Sequence, residues 1–202
     1  MLLHLHPENP QPRLLKRIAD CLKGGGIIIY PTDTIYGLGC DIAQQKAIER
    51  ICKIKNVDPQ KAQLSFICRG LSDLSDYTKS IDTPLYRMLK SYLPGPYTFI
   101  LPASKQVPKI LKSKKDTIGL RVPGNIICHR ILETLGNPIL STSLPGEMVE
   151  EYTDPEIIFE KFKNQVDLVI SGGMGGMVPS TIIDCTSDEW HITRQGVGNW
   201  EA

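Results

Sequence analysis

The residues best placed to do chemistry are short hydroxyl clusters and single cations at the ends of apolar runs. The run at 27–30 (IIIY) is followed directly by PTDTIY at 31–36, where Thr32, Asp33, Thr34 and Tyr36 add little to a hydrophobic core. Ile139 and Leu140 lead into Ser141, Thr142 and Ser143, and Ser180 and Thr181 open another apolar stretch. A hydroxyl both donates and accepts, so clusters that converge suit a phosphate, a ribose or an amino-acid head group. The same residue types also build turns and caps, and each cluster alone leaves both readings open.

The stretch TIGLRV (117–122) is more specific. Strand alternation puts Ile118, Leu120 and Val122 on one face and Thr117, Gly119 and Arg121 on the other. Arg121 then emerges beside a glycine with no side chain to obstruct a ligand. An arginine there is either a structural ion pair or a bidentate anion clamp.

Other chemistries lack their parts. GGMGGM (172–177) does not match G-x-G-x-x-G and leads through Val178, Pro179 and Ser180 into another strand rather than a helix. There is no G-x-x-x-x-G-K-[ST], no G-x-S-x-G and no H-E-x-x-H. The six cysteines form no C-x-x-C pair, which points to reduced thiols in a cytosolic protein rather than disulfides or zinc. With 23 basic and 22 acidic residues the net charge is +1, far from a dedicated nucleic-acid binder, so any anion site must be local.

The 202 residues, 41% hydrophobic and 22% charged, suit one globular domain. The opening MLLHLHPENPQPR lacks the apolar core of a secretory signal. No apolar run approaches the roughly 20 residues needed to span a bilayer. The expectation is a soluble, cytoplasmic protein without a membrane partner.

The elements that must position the polar residues can be read from periodicity. Helices are expected at 10–23 (Asn9 cap, Pro10 at the first position), 44–54, 84–92 (Asp82 cap), 125–135 and 154–163. Strands are expected at 27–30, 65–68, 97–101, 117–122, 138–141, 168–170, 181–185 and 191–194, the last two as an antiparallel hairpin. The run 27–30 is apolar throughout, as in a strand covered on both faces. In an open α/β sheet ligands gather beyond the carboxyl ends of strands, and 31–36 occupy such an end.

In chain order, PTDTIYGLGCD (31–41), LPGPYTFIL (93–101), TIGLRVP (117–123), PILSTS (138–143), PSTIID (179–184) and TRQGVG (193–198) resemble the motifs of the YrdC/YciO family. The resemblance spans nearly the whole chain. It implies a single α/β domain over 1–202, with a twisted, mixed, open sheet, helices on both faces and a concave, positively charged cavity. It also implies kinship with the threonylcarbamoyl-adenylate synthases, which turn ATP, L-threonine and bicarbonate into threonylcarbamoyl-AMP and pyrophosphate for tRNA modification. By that resemblance Thr34, Arg121, Ser141 and Ser180 would meet threonine, Arg121 taking its carboxylate. Lys55, Thr117, Ser143 and Arg194 would meet the nucleotide, and Lys55 and Arg121 would be catalytic. ATP enters as a substrate, with Mg2+ expected on it and no protein metal site.

The chain also departs from the synthases. Where they carry K-x-R it reads Lys55, Asn56, Val57, and where they carry S-x-N it reads Ser143, Leu144, Pro145. A histidine that they place near threonine is absent, with Ile67 about there in QLSFIC (63–68). A charge-assisted hydrogen bond is worth roughly 1.5–3 kcal/mol, so loss of the arginine would weaken nucleotide binding about ten- to hundredfold unless Lys61 compensates. These departures resemble the YciO branch, for which the alternative is double-stranded RNA or tRNA binding without this turnover. The clusters Lys46/Arg50/Lys53/Lys55 and Lys109/Lys112/Lys114/Lys115 support that alternative, while 6% aromatics count against it. A third reading is a metabolite binder without turnover.

Overall fold

Caps and prolines set several element boundaries in the computed structural model, which describes residues 1–58, 64–111, 116–146 and 152–201. Along the chain these are β1 (Leu2–His4), α1 (Pro12–Lys23), β2 (Ile28–Tyr30), β3 (Gly37–Asp41), α2 (Gln45–Lys55), β4 (Ser65–Ile67), α3 (Leu71–Tyr77), α4 (Thr83–Tyr92) and β5 (Tyr97–Pro102). A 3-10 turn (Lys109–Leu111) follows, then β6 (Thr117–Arg121), α5 (Ile126–Leu135), β7 (Ile139–Ser143), α6 (Pro155–Phe162), β8 (Leu168–Ser171), β9 (Thr181–Asp184) and β10 (His191–Arg194). Asp82 accepts from Leu85 N at 2.9 Å and Asn125 accepts from Cys128 N at 3.0 Å, each satisfying an orphan donor in the first turn. Gly136 closes α5 at φ 84, the left-handed region that glycine reaches without strain.

The first helix begins two residues later than its Asn9-Pro10 signal. His6 Nδ1 accepts from the backbone N–H groups of Glu8 and Asn9 at 3.2 and 3.1 Å, which holds that segment in a turn. Pro12 takes the first helical position instead, after an extended Gln11. The strands β1 and β3 and the helix α3 carried no signal that the periodicity reading recognised. β7 also runs on through Ser143, so the hydroxyl cluster lies within a strand rather than beyond its end.

The ten strands form one mixed sheet in the order β1-β8-β2-β3-β7-β4-β6-β5-β9-β10. β9 and β10 pair antiparallel, as the sequence suggested. β2 is interior, between β8 and β3, and wholly buried. Together with Ile27, which precedes it, its residues alternate between two apolar layers. Ile27 and Ile29 join the layer that holds Ile48 and Ile51 of α2 and Ile158 of α6, while Ile28 and Tyr30 join Ile18 of α1 and Ile131 of α5.

The two faces are covered unequally, and this makes room for a site. On the first face Leu38, Leu140, Phe66, Leu120 and Phe99 continue the apolar layer across the sheet to Leu74 of α3 and Leu89 of α4. On the second face the buried cluster supplied by α1 and α5 includes Ile139 and Ile67 but nothing from β5, β6, β9 or β10. The sheet surface beyond it carries Ser65, Thr98, Thr117, Gly119 and Arg121, with Ile100 and Ile182 among them. Burying an apolar side chain fully is worth about 1.5–3 kcal/mol, so a surface with few such side chains has little to recruit a covering helix.

Candidate active site

The strand register assembles the floor of the cavity. Ser141 pairs with Ser65, Ser65 with Gly119 and Gly119 with Ile100, making one cross-strand row over β7, β4, β6 and β5. All four line a concave cavity of ≈ 690 Å³. That volume lies within the range of small-molecule sites. The expected β6 alternation holds, since Thr117, Gly119 and Arg121 all face this cavity.

Arg121 is both an ion pair and a cavity residue. Its Nη2 donates to Asp33 Oδ1 in a short contact, to Thr34 Oγ1 at 2.7 Å and to Thr32 Oγ1 at 3.5 Å. Asp33 is held in turn by the Gly124 N–H at 2.9 Å. All three arginine bonds leave from one nitrogen, and Nε is buried without a partner. Buried polar groups are usually satisfied, and this N–H is an exception that lies beneath the cavity surface.

Two more cations reach the same space. Lys55 donates to the carbonyl and hydroxyl of Ser143 at 3.0 and 3.3 Å, and burial pushes its ammonium below the ordinary lysine range. Arg194 holds Ser180 O at 2.8 Å and Ser180 Oγ at 3.3 Å. Its affinity for a proton is lowered first by burial and then by the nearby Arg121 charge. Among the described residues lining the cavity, Lys55, Arg121 and Arg194 are cations and none is a carboxylate. Such a wall favours an anionic ligand, because Coulomb attraction strengthens as water is excluded.

The sequence-derived residues separate by depth. Arg121, Ser141 and Ser180 lie on the wall and are 7, 6 and 4% exposed; Thr117, Ser143, Lys55 and Arg194 line its more open parts. Thr34 sits behind the wall at 3% exposure, where its carbonyl accepts from Gly176 N and its hydroxyl supports Arg121. Thr32 lines the cavity in its place. Thr181 is turned away, tying Gly198 O at 2.7 Å.

Sequence reasoning missed several supporting groups. Thr98 shares a 2.8 Å hydrogen bond with Ser180, and the period-two alternation of YTFIL was the signal that placed it opposite Phe99. Asp33 as the partner of Arg121, 88 residues away, had no local signature. Val57, where the synthases carry arginine, lines the cavity and is 38% exposed. Ile67 is buried in the α5 layer. Lys61 lies outside the described residues, as do Lys112, Lys114 and Lys115. In the other basic cluster Arg50 is engaged by Asp167 at 3.2 Å.

An α/β sheet with one face opened into a cationic, hydroxyl-lined cavity suits an anionic or zwitterionic small molecule. The chain belongs to the Sua5/YciO/YrdC family, whose model, described as telomere recombination, matches residues 20–196. YciO of Escherichia coli K12 is 46% identical over 199 residues, covering 97% of this chain and 95% of its own. Its crystal structure superposes with a TM-score of 0.91 over 98% of this chain and 97% of that one. A threonylcarbamoyl-AMP synthase of Chromobacterium violaceum is 34% identical over 90% of this chain and 93% of its own. The structure of P. abyssi Sua5 complexed with L-threonine has a TM-score of 0.88 at 27% identity, over 97% of this chain and 57% of that one. The chain is therefore kin to threonylcarbamoyl-AMP synthases. No helix among the described residues is long and apolar enough to cross a membrane.

Proposed function

We propose that the protein binds L-threonine and ATP side by side and forms threonylcarbamoyl-AMP from them and bicarbonate, in the service of tRNA modification. The observation that carries this reading is the convergence of Lys55, Arg121 and Arg194 on one hydroxyl-lined cavity without a carboxylate in its described wall. The L-threonine complex of P. abyssi Sua5 and the kinship with the Chromobacterium violaceum synthase support the choice of amino acid.

The threonine carboxylate goes to Arg121, with Ser141 and Ser180 around the head group. The nucleotide goes to Lys55, Thr117, Ser143 and Arg194. The amine of threonine takes up bicarbonate, forming an N–C bond and releasing water. A carbamate oxygen then attacks the α-phosphorus, the bond to the β-phosphate oxygen breaks, and pyrophosphate leaves with that electron pair. The chain contributes positioning and neutralisation, which dominate phosphoryl and nucleotidyl transfer. Lys55 and Arg194 offset phosphate charge while Arg121 fixes the attacking molecule. A divalent ion would arrive on the triphosphate, since the described wall offers hydroxyls and cations but no carboxylate to hold one.

Purified protein supplied with Mg-ATP, L-threonine and labelled bicarbonate is expected to release pyrophosphate and yield a labelled adenylate. Product no greater than that of Arg121→Ala would reject the reading.

A further inference from the structure

We propose that Tyr30 is a positioning residue that makes the Ser141 hydroxyl a hydrogen-bond donor into the cavity; this rests on the threonine-binding reading above. Tyr30 ends β2 and is fully buried, yet its hydroxyl donates to Ser141 Oγ at 2.7 Å on β7, two strands away in the sheet. The ring crosses the intervening β3 where that strand has no side chains. A Cβ on Gly37 would lie 3.2 Å from Tyr30 Cζ, and one on Gly39 would lie 3.0 Å from Cε1. The two glycines, one on either side of Leu38, thus form a groove for the ring. This explains why the apolar run is followed so soon by GLG.

The bond sets a polarity. A buried phenol O–H needs an acceptor, and Ser141 Oγ is the hydrogen-bond partner of the Tyr30 hydroxyl among the described residues. Were Ser141 the donor, the phenolic proton would be left buried and unmade, which is costly. Burial also pushes the Tyr30 hydroxyl far above the ordinary phenol range, so it keeps its proton. A serine hydroxyl has one proton and two lone pairs. With Tyr30 on one lone pair, the proton of Ser141 is free to turn to the cavity that the residue lines. Ser141 therefore meets a carboxylate or carbamate oxygen as a donor, in the cavity that Arg121 also lines.

Two measurements on the full chain test this. In ligand-free protein with ring-labelled tyrosine, Ser141→Ala should shift the Tyr30 Cζ resonance in solution NMR; an unmoved resonance overturns the inference whatever the protein binds. By calorimetry, Tyr30→Phe should weaken threonine binding roughly two- to tenfold, the size of one net hydrogen bond, and leave ATP binding unchanged. Tyr30→Phe combined with Ser141→Ala should be no worse than Ser141→Ala alone, because one acts through the other. Additive losses, or full threonine affinity in Tyr30→Phe, overturn the role while leaving the synthase reading intact. Wild-type protein that binds no threonine removes the synthase reading and this role together.

Discussion

At the inner end of the cavity Arg121, Ser141 and Ser180 are 7, 6 and 4% exposed, and each already has a partner from the chain; at the outer end Ser143 and Arg194 are exposed and Lys55 is half-buried. The inner groups are locked before any ligand arrives, so ordering them costs little on binding. The outer groups lie where solvent competes with a ligand. Of the departures from the synthase motifs, Val57 lines the cavity at 38% exposure, while Ile67 is buried in the layer beneath α5.

The largest way to break that contrast is Arg121→Ala. It removes the proposed carboxylate clamp and leaves the part-buried Asp33 without its cation, a change that costs up to about 3–5 kcal/mol. Adenylate formation should vanish, and the thermal midpoint should fall with it. A wild-type melting curve would show that the inner half is not held as described. Val57→Arg sharpens the contrast from the other side. Restoring the synthase cation should raise ATP affinity about ten- to hundredfold, from a bond worth roughly 1.5–3 kcal/mol, without changing threonine affinity. Equal gains for both ligands in calorimetry would mean that the two halves are not separate.

Gly39→Ala tests the groove beneath the inner half. Its new Cβ would fall 2.6 Å from the Leu140 carbonyl oxygen and 3.0 Å from the Tyr30 ring. Denaturant unfolding should show a loss of about 1–3 kcal/mol, as overpacking typically gives. The smallest effect is on pH. Burial lowers the Lys55 proton affinity from its ordinary 10.5, so Lys55 loses its charge at a lower pH than an exposed lysine. ATP affinity should fall as pH rises through the window below 10.5, by less than about tenfold, and Lys55→Met should flatten that slope. In the same window the unfolded chain binds more protons at this position than the folded one, so the Lys55 contribution to stability rises with pH.

Much of the site was legible because its residues sit on regular elements. The two-residue period of TIGLRV placed Thr117, Gly119 and Arg121 on one face, and six ordered motifs carried the family resemblance. β3 was not legible, because GLGCD has the composition of a turn; it is a strand whose missing side chains accommodate Tyr30. Asp33 was visible as a polar residue in an unlikely place but not as the partner of Arg121. The start of α1 was misplaced because His6 captures the backbone donors just before it.

Local chemistry in the chain determined most helices and strands, the apolar layers and the family, since periodicity, caps and ordered motifs act over a few residues at a time. Which face of the sheet stays uncovered, which carboxylate meets Arg121, and which way the Ser141 proton points were decided only in the folded molecule. Those features depend on register across strands and on groups roughly 90 to 110 residues apart, as the Asp33–Arg121 and Tyr30–Ser141 separations of 88 and 111 show. Contacts at such separations leave no periodic trace in the chain.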